Sequence, residues 1–327
     1  MRIPVRVTVI AAAGGVIAGA LTACSATGPP SASAAEHSPP PSRSAAPASP
    51  SPSAATGPAA TPSPVVSALR SVKARGAVLA DAATGTLLWS RDPDTERPIG
   101  SITKVMTALV VIRAGDLGRE IRVPAAVIPY VDKYAGNSAG LHPGDVVTTQ
   151  QLLEAMLLPS GCDAAYTLAT TYGPGMPGFL AKMNATARQL GMLHTYFTSP
   201  DGLPYPTEYS TYSTPADLLT LGLAAMKLPA FRSIVGQRFY QMHKGPGHHA
   251  YWWNNSNDLI GRYPGADGIK DGFTDAALHC LLFEATRGSM TLIGDVLGSP
   301  ATGPASGAQA AAQVLNWGFS LPRTRPG

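Results

Sequence analysis

Residues 268–297 read GIKDGFTDAALHCLLFEATRGSMTLIGDVL, and they set the fold class of this 327-residue chain. Apolar runs at 268–273, 279–286 and 290–297 predict three strands, because each run is short and turn-forming residues separate them. Arg-Gly-Ser between the last two runs predicts a hairpin. A helix is predicted over 305–317, so we expect a C-terminal sheet followed by a closing helix.

The region N-terminal to this stretch has a different pattern. Apolar runs at 76–81 and 86–90 surround Ala-Ala-Thr-Gly and predict another hairpin. Helical spacing of apolar residues then predicts helices at 101–114, 148–158, 162–171, 177–190 and 214–226. Strands at both ends with helices between them predict an α+β fold, in which an antiparallel sheet is flanked by helices and carries an inserted, mostly helical block.

The first 23 residues have the pattern of an export signal. Arg2 and Arg6 precede an uncharged apolar run at 7–21 that is too short for a comfortable membrane span. The run ends in Leu-Thr-Ala-Cys24, which resembles the lipobox of bacterial lipoproteins, and this resemblance implies a diacylated Cys24 as the mature N-terminus. We therefore expect an extracytoplasmic protein, lipid-anchored to the cell membrane and facing the cell wall. The alternative is ordinary secretory cleavage nearby, which would give a secreted protein.

Residues 24–64 predict a disordered tether. Ser, Pro and Ala fill 32 of the positions 25–64, and the only charges there are Glu36 and Arg43. One domain is predicted at 65–320, with a tail at 321–327. A net charge of +4 without a basic run argues against nucleic-acid binding. Beyond Cys24, Cys162 and Cys280 allow at most one disulfide.

A serine and a lysine stand three residues apart at the start of the helix predicted at 101–114. In Ser101-Ile-Thr-Lys104, the two side chains share one helical face. A serine at a helix N-terminus lies where backbone N–H groups favour developing negative charge. A buried lysine near another cation can lose its proton and then take the serine proton. The pattern is compatible with a nucleophile and its base, but Ser-x-x-Lys also occurs often by chance in helices, so by itself it does not assign these roles.

Two further motifs follow in order, Ser160-Gly-Cys162 between two predicted helices and Lys270-Asp-Gly272 at a strand start. Together with Ser101-Ile-Thr-Lys104 they resemble the low-molecular-mass penicillin-binding proteins, the D-alanyl-D-alanine carboxypeptidase family of serine peptidases. The segments at 141–145, 149–160, 199–203, 213–218 and 255–259 resemble further landmarks of that family. The resemblance covers residues 77–318 and implies the penicillin-binding, transpeptidase-like fold.

The resemblance also implies a role for each motif residue. Ser101 matches the acylated nucleophile, Lys104 its general base, and Ser160 the serine that relays protons. Lys270 matches the lysine that gives the site its positive potential. The oxyanion hole would be formed by the backbone N–H groups of Ser101 and of Phe273, the residue after Gly272, and donors placed in this way stabilise the tetrahedral intermediate.

Two positions depart from the family pattern. Cys162 stands where the family usually has Asn, and a thiol is a weaker hydrogen-bonding group than an amide. Cys162 is therefore either a small buried residue or a residue that contacts the ligand directly. Asp271 stands where the family has Thr or Ser, whose hydroxyl binds the substrate's terminal carboxylate. Because two carboxylates repel, we expect Asp271 to weaken binding of substrates with a free carboxylate and to favour an amidated or cationic group.

The sequence therefore predicts a D-alanyl-D-alanine carboxypeptidase or transpeptidase acting on peptidoglycan stem peptides through an acyl-serine intermediate. β-Lactam antibiotics are the expected acylating ligands, and no metal or organic cofactor is implied. The alternative is a catalytically weakened or inactive cell-wall-binding or sensing protein on the same fold, which the altered motif positions favour and the retained nucleophile and base disfavour. A β-lactamase that uses a deacylating glutamate is disfavoured, because no such glutamate is evident.

Overall fold

A computed structural model describes residues 69–300 and 306–322. The strands are β1 (Gly76–Asp81), β2 (Leu87–Arg91), β3 (Arg97–Pro98), β4 (Glu120–Arg122), β5 (Val146–Thr148), β6 (Tyr212–Ser213), β7 (Phe239–Met242), β8 (Tyr251–Asn254), β9 (Ala266–Thr274), β10 (Leu278–Arg287) and β11 (Met290–Ser299). The helices are α1 (Thr103–Ala114), α2 (Val127–Tyr134), α3 (Thr149–Leu157), α4 (Cys162–Tyr172), α5 (Gly175–Gln189), α6 (Pro215–Met226), α7 (Pro229–Val235) and α8 (Ser306–Ser320). A 3₁₀ turn at Gly100–Ile102 leads into α1.

The main sheet joins the two ends of the domain. Its five strands lie in the order β2-β1-β11-β10-β9, and all neighbouring pairs are antiparallel. β1 pairs with β11 from Gly76↔Leu297 to Asp81↔Leu292, so an N-terminal strand completes a C-terminal hairpin. The α+β prediction with its inserted helical block is confirmed. β9 is an edge strand, which leaves one row of its backbone groups unpaired by the sheet.

Apolar residues cover both faces of this sheet. On one face, Leu282 and Ile293 belong to a large core shared with the helical block. On the other face, Phe283 packs in a smaller core with Val314 and Leu315 of α8. The alternation of side chains along β10 supplies both cores, because successive residues of a strand point to opposite faces.

The starts of α3 and α6 have side-chain caps. Thr148 and Gln151 form a reciprocal capping box at the start of α3. Thr214 accepts a hydrogen bond from the backbone N–H of Asp217 at the start of α6, where Pro215 takes the first helical position. No sequence pattern predicted α2, α7, the four-residue strands β7 and β8, or the two- and three-residue strands. The predicted helix at 101–114 begins as a 3₁₀ turn.

The predicted export signal, the predicted lipidation site Cys24 and the predicted tether all lie outside the described residues. Within the described ranges, no single helix is long and apolar enough to cross a membrane, although α6 and α7, bent by 106°, meet that criterion as a pair.

Candidate active site

Ser101 and Lys104 lie at the junction between the 3₁₀ turn and α1. Lys104 Nζ donates a hydrogen bond to Ser101 Oγ at 2.8 Å. The lysine is fully buried, and its Nζ also contacts the backbone oxygen of Asp201 at 3.0 Å and Cys162 Sγ at 3.5 Å. These acceptors come from three separate segments of the chain, so the folded domain fixes the amine beside the serine hydroxyl.

The Asp201 contact depends on a close approach of two backbones. Gly202 has φ +85°, and a Cβ at this position would lie 1.9 Å from the backbone oxygen of Gly100. Only glycine allows this approach. The Asp201 carboxylate accepts a hydrogen bond from Tyr130 Oη at 2.9 Å. The pKa of Tyr130 is raised, mainly by burial and to a smaller extent by the negative charge of Asp201.

Ser160 and Cys162 lie in the break between α3 and α4. Ser160 has φ +65°, and its buried Oγ has no hydrogen-bond partner among the described residues. The Cys162 N–H donates to the backbone oxygen of Asn137 at 2.8 Å. Burial raises the pKa of the Cys162 thiol to about 12, and the Lys104 charge offsets only part of this shift. The thiol is therefore protonated at neutral pH, which argues against a thiolate nucleophile.

Edge strand β9 lies directly against the turn that carries Ser101. A Cβ at Gly272 would lie 2.5 Å from the Ile99 backbone oxygen and 3.1 Å from the Ser101 nitrogen. A Cβ at Gly100 would likewise lie 2.9 Å from the Phe273 nitrogen. The two glycines thus bring the backbone nitrogens of Ser101 and Phe273 to the same place, as an oxyanion hole requires.

Lys270 and Asp271 form an ion pair beside this place. Lys270 is buried, and its Nζ contacts Asp271 Oδ1 directly and Ser256 Oγ at 3.1 Å. Ser256 Oγ also donates to Asp271 Oδ1 at 2.6 Å. Burial works to raise the pKa of Asp271, but the Lys270 charge and these hydrogen bonds outweigh it and hold the pKa below its usual range. Burial lowers the pKa of Lys270, against the attraction of Asp271.

A cleft of about 370 Å³ collects most of these groups. Its lining residues are Ser101, Tyr134, Ala135, Gly136, Asn137, Ser160, Cys162, Gly202, Leu203, Pro204, Glu208, Asp271, Phe273, Thr274 and Asp275. Lys104 and Lys270 are buried behind these lining residues, and Gly272 packs against the turn that carries Ser101. A cavity of about 330 Å³ among α1, α4 and α5 contains none of the predicted site residues.

Several contributors to the site were not predicted as such. Asp201 and Ser256 fall within stretches that resemble family landmarks, but their contacts with the two lysines come from tertiary structure. Asp163 and Glu154 flank Ser160 in the sequence, and charged residues of a helix usually lie on its surface or cap its end. Both are buried, however, and Asp163 receives hydrogen bonds from the loop that carries Asn137.

The remaining cysteines and histidines show no second site among the described residues. Cys162 and Cys280 are free, buried thiols, so they form no disulfide. His249 bonds to Asp145 at 2.9 Å and stacks on His142. No group of three His, Cys, Asp or Glu side chains within residues 69–300 and 306–322 is arranged to hold a metal ion.

Comparisons with known proteins agree with the motif assignment. A family model described as D-alanyl-D-alanine carboxypeptidase matches residues 60–301. The chain is 39% identical over 274 residues to the D-alanyl-D-alanine carboxypeptidase of Streptomyces sp. (strain K15), covering 80% of this chain and 92% of that protein. The crystal structure of the Streptomyces K15 DD-transpeptidase superposes with a TM-score of 0.72 at 38% identity, covering 76% of this chain and 98% of that one.

A mycobacterial structure gives the same result. The D-alanyl-D-alanine carboxypeptidase from Mycobacterium tuberculosis H37Rv superposes with a TM-score of 0.70 at 34% identity, covering 77% of this chain and 93% of that chain. Each of the two superpositions covers about three-quarters of this chain.

Proposed function

The chain belongs to the D-alanyl-D-alanine carboxypeptidase family and is a D-alanyl-D-alanine peptidase, and on that premise we propose that its acyl-enzyme forms on Ser101. The observation that carries this assignment is the 2.8 Å contact between Ser101 Oγ and the buried amine of Lys104. A nucleophile and a base at this distance are ready for proton transfer. The substrates are peptidoglycan stem peptides, and β-lactams acylate the same serine.

The reaction proceeds in two half-steps. Ser101 Oγ attacks the carbonyl carbon of the penultimate D-alanine while its proton passes to Lys104 Nζ. The C–N bond then breaks, and the leaving nitrogen takes a proton through the hydroxyl of Ser160, which has no other partner among the described residues. Water (carboxypeptidase) or an amine (transpeptidase) then attacks the acyl ester, and Ser101 regains its proton.

The negative charge of the tetrahedral intermediate falls between β9 and the 3₁₀ turn. Two backbone N–H groups, from Ser101 and Phe273, are available there because Gly100 and Gly272 allow the close approach. Removing one such donor in other enzymes slows the chemical step by about 10²–10³-fold. This geometry favours an active enzyme over the alternative, an inactive cell-wall-binding or sensing protein.

The test is the intact mass of the protein after incubation with excess penicillin. We expect one adduct of the mass of the drug in the native protein and none in Ser101→Ala. Lys104→Ala should form the adduct at least about 100-fold more slowly, because it removes the base. An adduct that persists in Ser101→Ala would overturn the assignment of the nucleophile. Because the carboxylate of Asp271 repels the carboxylate of the drug, the incubation is repeated with Asp271→Thr. Labelling that appears only in Asp271→Thr would indicate an enzyme of altered specificity, and no adduct in either protein would favour the binding-protein alternative.

Anchoring by lipid is a separate part of the proposal, supported by the Leu-Thr-Ala-Cys24 sequence. Two acyl chains give the stable membrane attachment that one chain does not. The native protein should therefore fractionate with membranes and incorporate labelled palmitate, whereas Cys24→Ala should lose both properties. Label in the Cys24→Ala protein would contradict lipidation at this residue.

A further inference from the structure

Lys270, a buried cation beside the cleft, already has an anionic partner. Lys270 Nζ contacts Asp271 Oδ1 and Ser256 Oγ, and the lysine is buried. A carboxypeptidase substrate ends in a free carboxylate. When this carboxylate moves from water into the cleft, a cation or several hydrogen-bond donors must replace its bound water. Lys270 cannot supply a full positive charge to such a group while Asp271 holds it.

The exposed charges of the cleft are also of the wrong sign for a terminal carboxylate. Its charged lining residues are Glu208, Asp271 and Asp275, and none of the lining side chains is a lysine or an arginine. The Asp271 side chain is 37% exposed and is one of the lining residues of the cleft, whereas its partner Lys270 is buried. A second carboxylate placed there meets repulsion that the buried lysine only partly offsets.

Asp271 also retains unused capacity to accept a hydrogen bond. The hydrogen bonds from Ser256 and Lys270 both end on Oδ1. No described residue donates to Oδ2, which is free to accept from a ligand. A carboxylate oxygen accepts hydrogen bonds and donates none, so a ligand group that binds it must be a donor, such as an amide N–H.

We infer that the cleft selects acyl donors whose leaving group carries an amide N–H in place of a free terminal carboxylate. Such a donor is a peptide that continues beyond the scissile bond or one that ends in a carboxamide. Ser101 Oγ attacks the D-alanine carbonyl carbon, the C–N bond breaks, and the departing amine takes the proton while its own amide N–H donates to Asp271 Oδ2. This inference rests on the proposed function and specifies its substrate class.

The test compares two substrates that differ in one group, an N-acylated tripeptide ending in D-Ala-D-Ala as the free acid and the same peptide as the C-terminal carboxamide. Initial rates of release of D-alanine and of D-alaninamide, measured by mass spectrometry, give the two values of kcat/KM. We expect the native protein to prefer the carboxamide by about tenfold or more, since one charge repulsion in a partly shielded site has this size. A preference for the free acid would overturn the inference.

Variants at position 271 identify the residue responsible. Asp271→Asn keeps the shape of the side chain and removes its charge, and we expect it to reduce the preference for the carboxamide by about tenfold. Asp271→Thr should reverse the preference, because its hydroxyl can donate to a carboxylate. Asp275→Asn is the matched control, since Asp275 lines the same cleft but makes no contact with Lys270. An equal effect of Asp271→Asn and Asp275→Asn would refute a specific role for Asp271.

A binding measurement separates this inference from the chemistry. Each peptide is added to Ser101→Ala, and the rise in unfolding temperature reports its affinity without turnover. Greater stabilisation by the carboxamide supports the inference even if the native protein fails to form an acyl-enzyme, which would count against the proposed function alone. Equal or greater stabilisation by the free acid would overturn the inference while leaving acylation of Ser101 intact.

Discussion

The carboxylate of Asp163 holds the loop that forms one wall of the cleft, and its replacement by asparagine should impair acylation. Oδ1 accepts from the backbone N–H of Ala139 at 3.0 Å, and Oδ2 accepts from that of Leu141 at 3.0 Å and from Ser138 Oγ at 2.7 Å. In Asp163→Asn one of these oxygens becomes an NH₂ group. Whichever rotamer is adopted, at least one loop N–H then faces a donor.

The expected loss of stability follows from these bonds. A hydrogen bond to a charged group contributes about 1.5–3 kcal/mol, and a buried donor left without an acceptor costs about 1–3 kcal/mol. We therefore expect Asp163→Asn to lower the free energy of unfolding by about 3 kcal/mol. The loop also carries Asn137, whose backbone oxygen accepts from the Cys162 N–H at 2.8 Å. A shift of about 1 Å in such a positioning contact can slow a reaction by roughly 10²-fold.

The assay is the second-order rate of Ser101 acylation by a fluorescent penicillin at 25 °C, together with urea unfolding. Asp217→Ala is the control, because Asp217 accepts from the His194 N–H and from Thr195 Oγ1 at the start of α6, and its loss should cost a similar free energy of unfolding. We expect slow acylation only in Asp163→Asn. Wild-type acylation by a destabilised Asp163→Asn protein would refute the positioning role of this loop, and equal slowing in both variants would assign the effect to general instability.

Three further predictions concern pH, backbone packing and thiol reactivity. Burial raises the pKa of Glu154 to about 7, so the folded state holds this proton more tightly than the unfolded state does. The free energy of unfolding should therefore fall by about 3 kcal/mol as pH rises from 4.5 to 7. Urea unfolding of Glu154→Gln should lack this pH dependence. Gly272→Ala places a Cβ 2.5 Å from the Ile99 oxygen and should reduce the acylation rate by about 10²-fold, whereas Gly118→Ala, with no heavy atom within 4 Å of its Cβ, should acylate normally. Cys162, buried with a pKa of about 12, should resist iodoacetamide at pH 8 until the protein unfolds, as followed by intact mass; rapid alkylation of the folded protein would contradict this.

The long elements of the fold were predictable because each one carries its own signal. The strands predicted at 268–273, 279–286 and 290–297 correspond to β9, β10 and β11, and the structure extends each by one to three residues. The helix predicted at 214–226 corresponds to α6, whose Thr214 cap and first-turn proline are visible in the sequence. By contrast, β4 pairs three residues with β5 across a separation of more than 20 positions, and so short a run has no periodicity to detect.

In the cleft, the sequence predicted relations between residues that are close along the chain, but not the contacts that tertiary folding brings about. The spacing of Ser101 and Lys104 predicted that the two side chains share a helical face. No residue near Lys104 in the sequence predicted that the backbone oxygen of Asp201 also contacts its Nζ. The burial of Asp163 was missed for the same reason. Helical periodicity places a charged residue on the surface by default, whereas here residues 138–141 fold over the carboxylate and supply its donors.

The two halves of the cleft depend on different parts of the fold, and this separates activity from specificity. The acceptors of Lys104 come from the 3₁₀ turn, α4 and the loop at 199–203, so the nucleophile and its base require the assembled helical block. The Lys270, Asp271 and Ser256 cluster is formed by β9 and the segment after β8. Since Asp271 makes no hydrogen bond to Ser101 or Lys104, its replacement can change which leaving group is accepted without moving the nucleophile. A chain with an altered third motif can thus keep acyl transfer on Ser101 and act on a different class of peptide end.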